Sequence, residues 1–338
     1  MSKYTLTGSS ELDTRIDADL ARITEAAAPH SIAGVLLGGY GRGEGTPFIQ
    51  PDGSQSPFND YDLVVVVETL DAAVHRRFTA LEKRLSAELG LPVDLYPYRK
   101  DRLPGCEFSL LNYELKYGHK VVWGEAAILD AMPEYAGDAI PLSEGTRLLL
   151  NRGKLLLDIR RRLSRPDPLT EEERIRFLKF ISKAWLALGD SALLAARKYD
   201  ISYSVKRERI VSLDNMPRNT AVVEEYLAAI DLKNRGDYHT RLAGTDIEAE
   251  FQRVRAVFLD FFAWYRKQYS VRECSVLKAM LLNLKWNRWP YFTHPRKRLY
   301  EALPELLKDD PDKIVLGQIL CCSRNVEDRF YKLQARFS

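Results

Sequence analysis

Asn59-Asp60-Tyr61-Asp62-Leu63-Val64-Val65-Val66-Val67 is the stretch that decides the fold. Four consecutive valines fit a pleated surface and make this the strongest strand signal in the chain. Side chains alternate across a strand, so Asp60 and Asp62 face one side while Tyr61 and Leu63 face the other. Two carboxylates held side by side repel and raise each other's pKa. A divalent cation explains such a pair, and hard oxygen ligands suit Mg2+, which completes its shell with substrate phosphates. The plainer reading is two solvated acids entering a strand.

Working outward, residues 11–28 carry Leu12, Ile16, Leu20 and Ile23 at helical spacing. Residues 32–37 form a short apolar run ended by glycines, which reads as a buried strand. Downstream, residues 72–89 return to a helix with Phe78, Leu81, Leu85 and Leu89 on one face and Gly90 as its stop. Pro92-Val93-Asp94-Leu95-Tyr96 is a further strand, and this order predicts a mixed sheet with helices packed on it. Asp94 is an acid in mid-strand among apolar residues and needs a partner or a metal. If its strand lies beside the valine strand, Asp60, Asp62 and Asp94 can hold two Mg2+ ions roughly 3.5–4 Å apart, an arrangement used for in-line phosphoryl or nucleotidyl displacement. Glu107 and Glu114 are the alternatives for the third acid; Asp94 is preferred because it lies in a strand.

Directly after the first strand comes Gly38-Gly39-Tyr40-Gly41-Arg42-Gly43-Glu44-Gly45, with five glycines in eight residues. Glycine permits positive φ and lets an anion approach backbone N–H groups, so this is a candidate phosphate cradle. It is not a Walker A loop, because no Gly-Lys-Ser/Thr follows, and it lacks a dinucleotide fingerprint. The plainer reading is a flexible turn.

The 338 residues carry 50 Lys+Arg against 47 Asp+Glu, a net charge of +3, and the composition excludes disordered and fibrous classes. The balance hides a split: residues 1–145 hold 13 basic and 22 acidic side chains, a net −9, whereas residues 146–338 hold 37 and 25, a net +12. This asymmetry and the length both predict two domains. No apolar run approaches the roughly 18 residues of a membrane helix, and the start of the chain has no apolar leader. Cys106, Cys274, Cys321 and Cys322 form no CxxC pair, which reads as reduced thiols in a cytoplasmic protein, Cys321 and Cys322 adjacent on a helix. The five histidines are scattered and form no sequence-local zinc cage.

From about residue 146 the pattern is helical: 146–163, 171–198, 219–233, 246–268, 272–285, 295–307 and 311–335, with no convincing strand after Val122. Thr170-Glu171-Glu172-Glu173 and Thr245-Asp246-Ile247-Glu248 have the form of capping boxes. The expected class is α+β, with a mixed-sheet domain at 1–140 and an all-α bundle at 141–338.

The glycine-rich turn after the first strand, Asp-x-Asp on the next strand and one further acid on a later strand resemble the DNA polymerase β-like nucleotidyltransferase superfamily. Gly38-Gly39 stands where that family has Gly-Gly or Gly-Ser, and Gly41-Arg42-Gly43-Glu44 is similar to its minimal and aminoglycoside-type bacterial branch. Asn59-Asp60-Tyr61-Asp62-Leu63 matches the family's polar-Asp-x-Asp-apolar motif. The resemblance covers residues 30–125, and the bundle, through segments 180–185 and 188–193, looks like the helical domains that accompany such cores. It implies transfer of a nucleoside monophosphate from an NTP, ATP the first choice, to a hydroxyl acceptor with release of pyrophosphate. It implies two Mg2+ ions, or Mn2+ in their place, held by Asp60, Asp62 and Asp94, with Asp94 also taking the acceptor's proton. Gly38, Gly39, Tyr40, Arg42 and Glu44 would bind the nucleotide, joined by Lys183 from the bundle. Arg42 has an equal claim to an ion pair with Glu44 or a buried acid. The twenty residues between Gly39 and Asp60 are longer than the motif requires; residues 46–58 read as an inserted surface loop that reaches toward the acceptor.

Basic clusters lie at Arg160-Arg161-Arg162 with Arg165, at Lys206-Arg207 with Arg209, and at Arg296-Lys297-Arg298 close to Trp286 and Trp289. Interleaved aromatic and basic residues suit single-stranded nucleic acid, but solvated basic faces on amphipathic helices are the preferred reading. The front domain is too acidic to offer an extended polyanion track and the overall charge is near zero, so a small-molecule acceptor is expected, with no membrane partner. RNA (a tRNA end, for example) or a protein side chain is the alternative acceptor, and a non-catalytic toxin–antitoxin-type binding module is the alternative class.

Overall fold

The computed structural model describes residues 2–269, 276–287, 294–322 and 324–337. Cys274, Arg288, Trp289 and the side chain of Trp286 lie outside the described residues. In chain order the first stretch holds α1 (Ser10–Ala27), β1 (Ala33–Leu36), α2 (Gly38–Arg42), β2 (Pro47–Ile49), β3 (Gln55–Pro57), β4 (Tyr61–Val67), α3 (Ala72–Leu89), β5 (Val93–Arg99), α4 (Leu110–Tyr117) and β6 (Lys120–Trp123). Then follow α5 (Ser143–Leu163), α6 (Glu171–Ala195), α7 (Tyr203–Ile210), α8 (Asn219–Arg235), α9 (Tyr238–Ala243), α10 (Ile247–Tyr269), α11 (Val276–Asn287), α12 (Pro295–Leu306), α13 (Lys313–Leu320) and α14 (Val326–Phe337). The fold is mixed α+β, and no helix among the described residues is long and apolar enough to cross a membrane.

The chain divides into two compact units. The first gathers Met1–Pro141, Arg197–Val211 and Leu227–Gly244; the second gathers Leu142–Ala196, Ser212–Tyr226 and Thr245–Ser338. Helices α7 and α9 and the end of α8 therefore group with the sheet, in place of a helical half continuous from residue 141.

In the first unit the sheet order is β5-β4-β1-β6. β4 runs parallel to β5, and β1 is antiparallel to both of its neighbours. The valine strand is covered on both sides. Tyr61, Leu63, Val65 and Val67 pack with Leu12, Ile16 and Leu20 of α1 and with Phe78 and Leu85 of α3. Val64 and Val66 pack on the other face with Val35, Leu103, Leu115 and Leu129. Each fully buried side chain of this kind contributes roughly 1.5–3 kcal/mol. Local signals set the helix ends. Ser9 caps α1 through Leu12 N, Asp71 caps α3 through Ala73 N and Val74 N, and Gly90 closes α3 at φ +70°. Edge strand β5 has its outward amides covered by α3: Val93 N donates to Ser86 Oγ at 2.9 Å and Leu95 N to Glu82 Oε1 at 2.9 Å. Pro97, the next outward position, has no N–H to cover.

Four local expectations change. The inserted stretch is not a bare loop: β2 and β3 pair as a hairpin, and Phe58 stacks on Phe48 and packs against Tyr238, both at 4.6 Å. The glycine-rich segment begins as the short helix α2 rather than a flexible turn. Residues 311–335 are two helices, because Cys321 adopts φ +55° and ends α13, with Cys322 N bonded back to Gly317 O. The adjacent cysteines thus form a helix end. At α10 the capping side chain is Asp246, which accepts from Glu248 N and Ala249 N, in place of Thr245.

In the second unit α5, α6 and α10 pack on one another, and α12 packs on α5, α13 and α14. Helix α6 starts at the expected Thr170–Glu173 capping box and is buried all round from Ala184 to Leu194. Gly189 is where Tyr226 crosses it: a Cβ there would meet the ring at 2.0 Å. Gly189→Ala is expected to destabilise the protein by about 1–3 kcal/mol through overpacking. Urea unfolding checks this; a change below about 0.5 kcal/mol would mean that the ring moves aside freely.

Candidate active site

The alternation expected of the valine strand is present at its mouth. Tyr61 turns into the α1 side, where its hydroxyl donates to Asp19 Oδ2 at 2.9 Å. Asp62 lies on the opposite face and is half-buried. In the parallel ladder Asp62 stands in register with Asp94, on strands about 4.8 Å apart. Tyr96 follows on the face of Asp94, and its hydroxyl is pushed up by burial and then by the carboxylates of Asp62, Asp94, Glu82 and Asp60. The three acids therefore share one electrostatic neighbourhood.

Helix α2 starts beside them. Leu37 N donates to Asp62 O at 2.8 Å, and Gly38 follows at φ +65°. A Cβ on Gly38 would stand 3.2 Å from Asp62 Oδ2, so the conformation and the neighbour both select glycine. As first-turn residues, Gly38, Gly39 and Tyr40 have no carbonyl one turn back to accept their N–H groups.

Tyr40 does not face outward. It is 1% exposed, and its hydroxyl accepts from Phe58 N at 2.9 Å and Asn59 N at 3.2 Å. Asn59 Oδ1 in turn accepts from Thr46 N at 2.7 Å. These bonds tie the two ends of the hairpin together immediately before Asp60. Burial first, offset by those amides and reinforced by Asp60 and Asp19, pushes the Tyr40 hydroxyl up to about 12.

Arg42 and Glu44 belong to a buried ionic network. Arg42 Nη1 lies 3.2 Å from Glu114 Oε2, and its Nε lies 3.6 Å from Glu44 Oε2. Desolvation opposes the guanidinium charge, but Glu114 above all, with Glu44, holds it protonated. Glu44 Oε1 accepts from Ser202 Oγ and Tyr203 N, both at 3.0 Å, and its carbonyl accepts from Lys233 Nζ. Lys206, 1% exposed, donates to the Tyr199 hydroxyl at 3.1 Å, and that hydroxyl donates to Glu114 Oε1 at 2.5 Å. Of the two roles open to Arg42, the ion pair is the one formed. Glu114 is committed to the same network, whereas Asp94 stands in register with Asp62 on the neighbouring strand.

Gly38, Gly39, Tyr40, Arg42 and Glu44 are thus together, with Gly38 directly against Asp62 and Gly39 against the backbone of Glu44 and Gly45. Lys183 is half-buried on α6 of the second unit. Its heptad neighbour Asp190 is buried and accepts from the Tyr226 hydroxyl at 2.6 Å. Lys206, Lys233 and Tyr199 were not legible as parts of this region; only the basic run at 206–209 pointed to one of them, and it suggested a solvated face. Among the described residues no three His, Cys, Asp or Glu side chains form a metal cage. Opposed Asp62 and Asp94 still suit Mg2+ that arrives on phosphates, because that ion needs only one or two carboxylates.

Removing Arg42 strands Glu44 and Glu114, so Arg42→Met is expected to cost about 3–5 kcal/mol in urea unfolding. A neutral effect would show that the two carboxylates find other partners. For Tyr40 the folded pKa exceeds the unfolded value of 10.0, so its contribution is full below pH 10 and is lost as pH rises toward 12. Tyr40→Phe is expected to flatten that alkaline decline in a pH series of unfolding midpoints, while lowering stability at pH 7 by about 1–3 kcal/mol through the two amides left behind.

Comparison with models of known protein families and with curated protein sequences finds no match to this chain.

Proposed function

We propose that the first unit is a Mg2+-dependent nucleotidyltransferase that moves a nucleoside monophosphate from an NTP to the hydroxyl of a small molecule and releases pyrophosphate. One observation carries this reading: Asp62 stands in register with Asp94 on parallel strands, with Gly38 packed against Asp62. Asp60, just before the strand, acts with Asp62 and Asp94 on the Tyr96 hydroxyl, and the resemblance to the polymerase β-like superfamily rests on these residues. Mg2+, held by Asp60 and Asp62 together with the triphosphate, would neutralise phosphate charge and polarise the α-phosphate. The amides of Gly38 and Gly39 hold the β- and γ-phosphates. Asp94 accepts the acceptor's hydroxyl proton as its oxygen bonds to the α-phosphorus and the bond to the bridging β-phosphate oxygen breaks. Arg42, tied to Glu114 and Glu44, positions α2 rather than touching phosphate.

A small acceptor is favoured over RNA because members of the basic clusters are already engaged. Arg162 pairs with Glu173 at 2.7 Å and Asp167 at 2.8 Å, Arg209 with Asp200 at 3.3 Å, and Arg207 with Asp231. The test is pyrophosphate release from each NTP with Mg2+ and fractionated cell extract, ATP first. Asp62→Asn and Asp94→Asn are each expected to lower the rate at least about 100-fold with an unchanged thermal midpoint. No release with any NTP and any fraction would overturn the proposal.

A further inference from the structure

The second unit contains a cavity of about 310 Å3 lined by α5, α10, the chain after α12 and the start of α14. Its most deeply set charge is Arg255 of α10, whose side chain is 13% exposed, whereas its partner Asp309 is 80% exposed. Arg255 Nη1 donates to Leu307 O at 3.2 Å and to Asp309 Oδ1 at 2.5 Å. Its Nε is buried and makes no hydrogen bond among the described residues. A buried donor without a partner needs an explanation, and an unfilled ligand position is one. The guanidinium fork is shaped for two oxygens at once, and here one edge of the fork is committed to an exposed carboxylate and the other to nothing among the described residues.

The surroundings favour a particular ligand. Arg160 and Arg161 of α5 line the same cavity, and the buried ring of Phe251 lies under Arg255, 5.8 Å from it. Two of the carboxylates in the lining, Asp309 and Glu248, are exposed, and the third, the half-buried Glu327, pairs with Arg160 at 3.4 Å. Arg255 and Arg160 are the more deeply set charges, at 13% and 21% exposure, and Arg161 stands at the mouth, so an entering anion would exchange Asp309 for its own oxygens and meet two further arginines. We propose that this cavity binds a compact phosphate-bearing anion, anchored by the Nε–Nη edge of Arg255 and flanked by Arg160 and Arg161. The phosphate group is the shared chemistry; inorganic phosphate or pyrophosphate and a sugar phosphate are the two sources.

The full chain, in EDTA and at constant ionic strength, is titrated with inorganic phosphate, pyrophosphate and a hexose phosphate by calorimetry and thermal unfolding. Saturable binding by at least one probe is expected, with a midpoint rise of about 2–5 °C at saturation; the probe that binds names the source. Arg255→Lys, which loses the fork, is expected to weaken binding at least about tenfold. Asp309→Asn removes the competing carboxylate and is expected to tighten binding several-fold, an effect that a purely structural pair would not produce. Arg160→Gln, at a half-exposed position, is expected to weaken binding about threefold and serves if the Arg255 variant does not fold. Absence of saturable binding, equal affinity in Arg255→Lys, or weaker binding in Asp309→Asn would overturn the proposal. Loss of binding in Asp62→Asn would also overturn it, because the anion would then occupy the first unit; a failure of nucleotidyl transfer leaves this site standing.

Discussion

Burial of β4 on both faces is the constraint on which the first unit depends. A strand with one polar face can slip by two residues at modest cost, whereas this one is held by Leu63, Val65 and Val67 on one side and Val64 and Val66 on the other. A slip of one residue would exchange the two sets and drive Tyr61, with its bond to Asp19, out of the core. The register with β5 is thereby fixed, and with it the opposition of Asp62 and Asp94. Chemistry at the strand mouth is thus placed by packing several residues away from it.

The turn beside those acids is organised by a different kind of force. Glycines let the backbone of α2 come close to Asp62, but they cannot hold it there. The holding is electrostatic: Arg42 grips Glu114 and Glu44, and Lys206 and Tyr199 extend the network. Buried ion pairs add little net stability compared with well-packed apolar groups, yet they are costly to break and tolerate few alternative geometries. A short glycine-rich helix that would otherwise fray is therefore kept in one orientation. Tyr40 does the same for the approach to Asp60, using one hydroxyl against two amides.

What was legible in the sequence is what depends on near neighbours. The helix at 72–89, its glycine stop, the valine strand and the side-chain alternation at Tyr61-Asp62-Leu63 follow from periodicity and caps, and all of them are present. Partners supplied from far along the chain were not legible. The hairpin at 47–57 owes its shape partly to Tyr238, and Arg42 takes Glu114, 72 residues on, as its counter-ion. A basic run such as 206–209 shows charge but not burial, so Lys206 looked solvated when its ammonium in fact sits over the rings of Tyr199 and Tyr203 at 4.2 and 4.4 Å. The break at Cys321 was hidden for a related reason: a non-glycine residue at positive φ carries no residue-type signal.

The assembly of the first unit from three separate stretches has a consequence for the order of events on the ribosome. Glu44 is enclosed against Ser202 and Tyr203, and Tyr203 is 159 residues later in the chain. At roughly 5–20 residues per second, synthesis of that interval takes about 8–32 s. During that time the sheet can form, but the carboxylate that anchors the glycine turn must stay in water. The sheet is thus a product of early translation, and the geometry beside Asp62 is completed only when the later helices emerge.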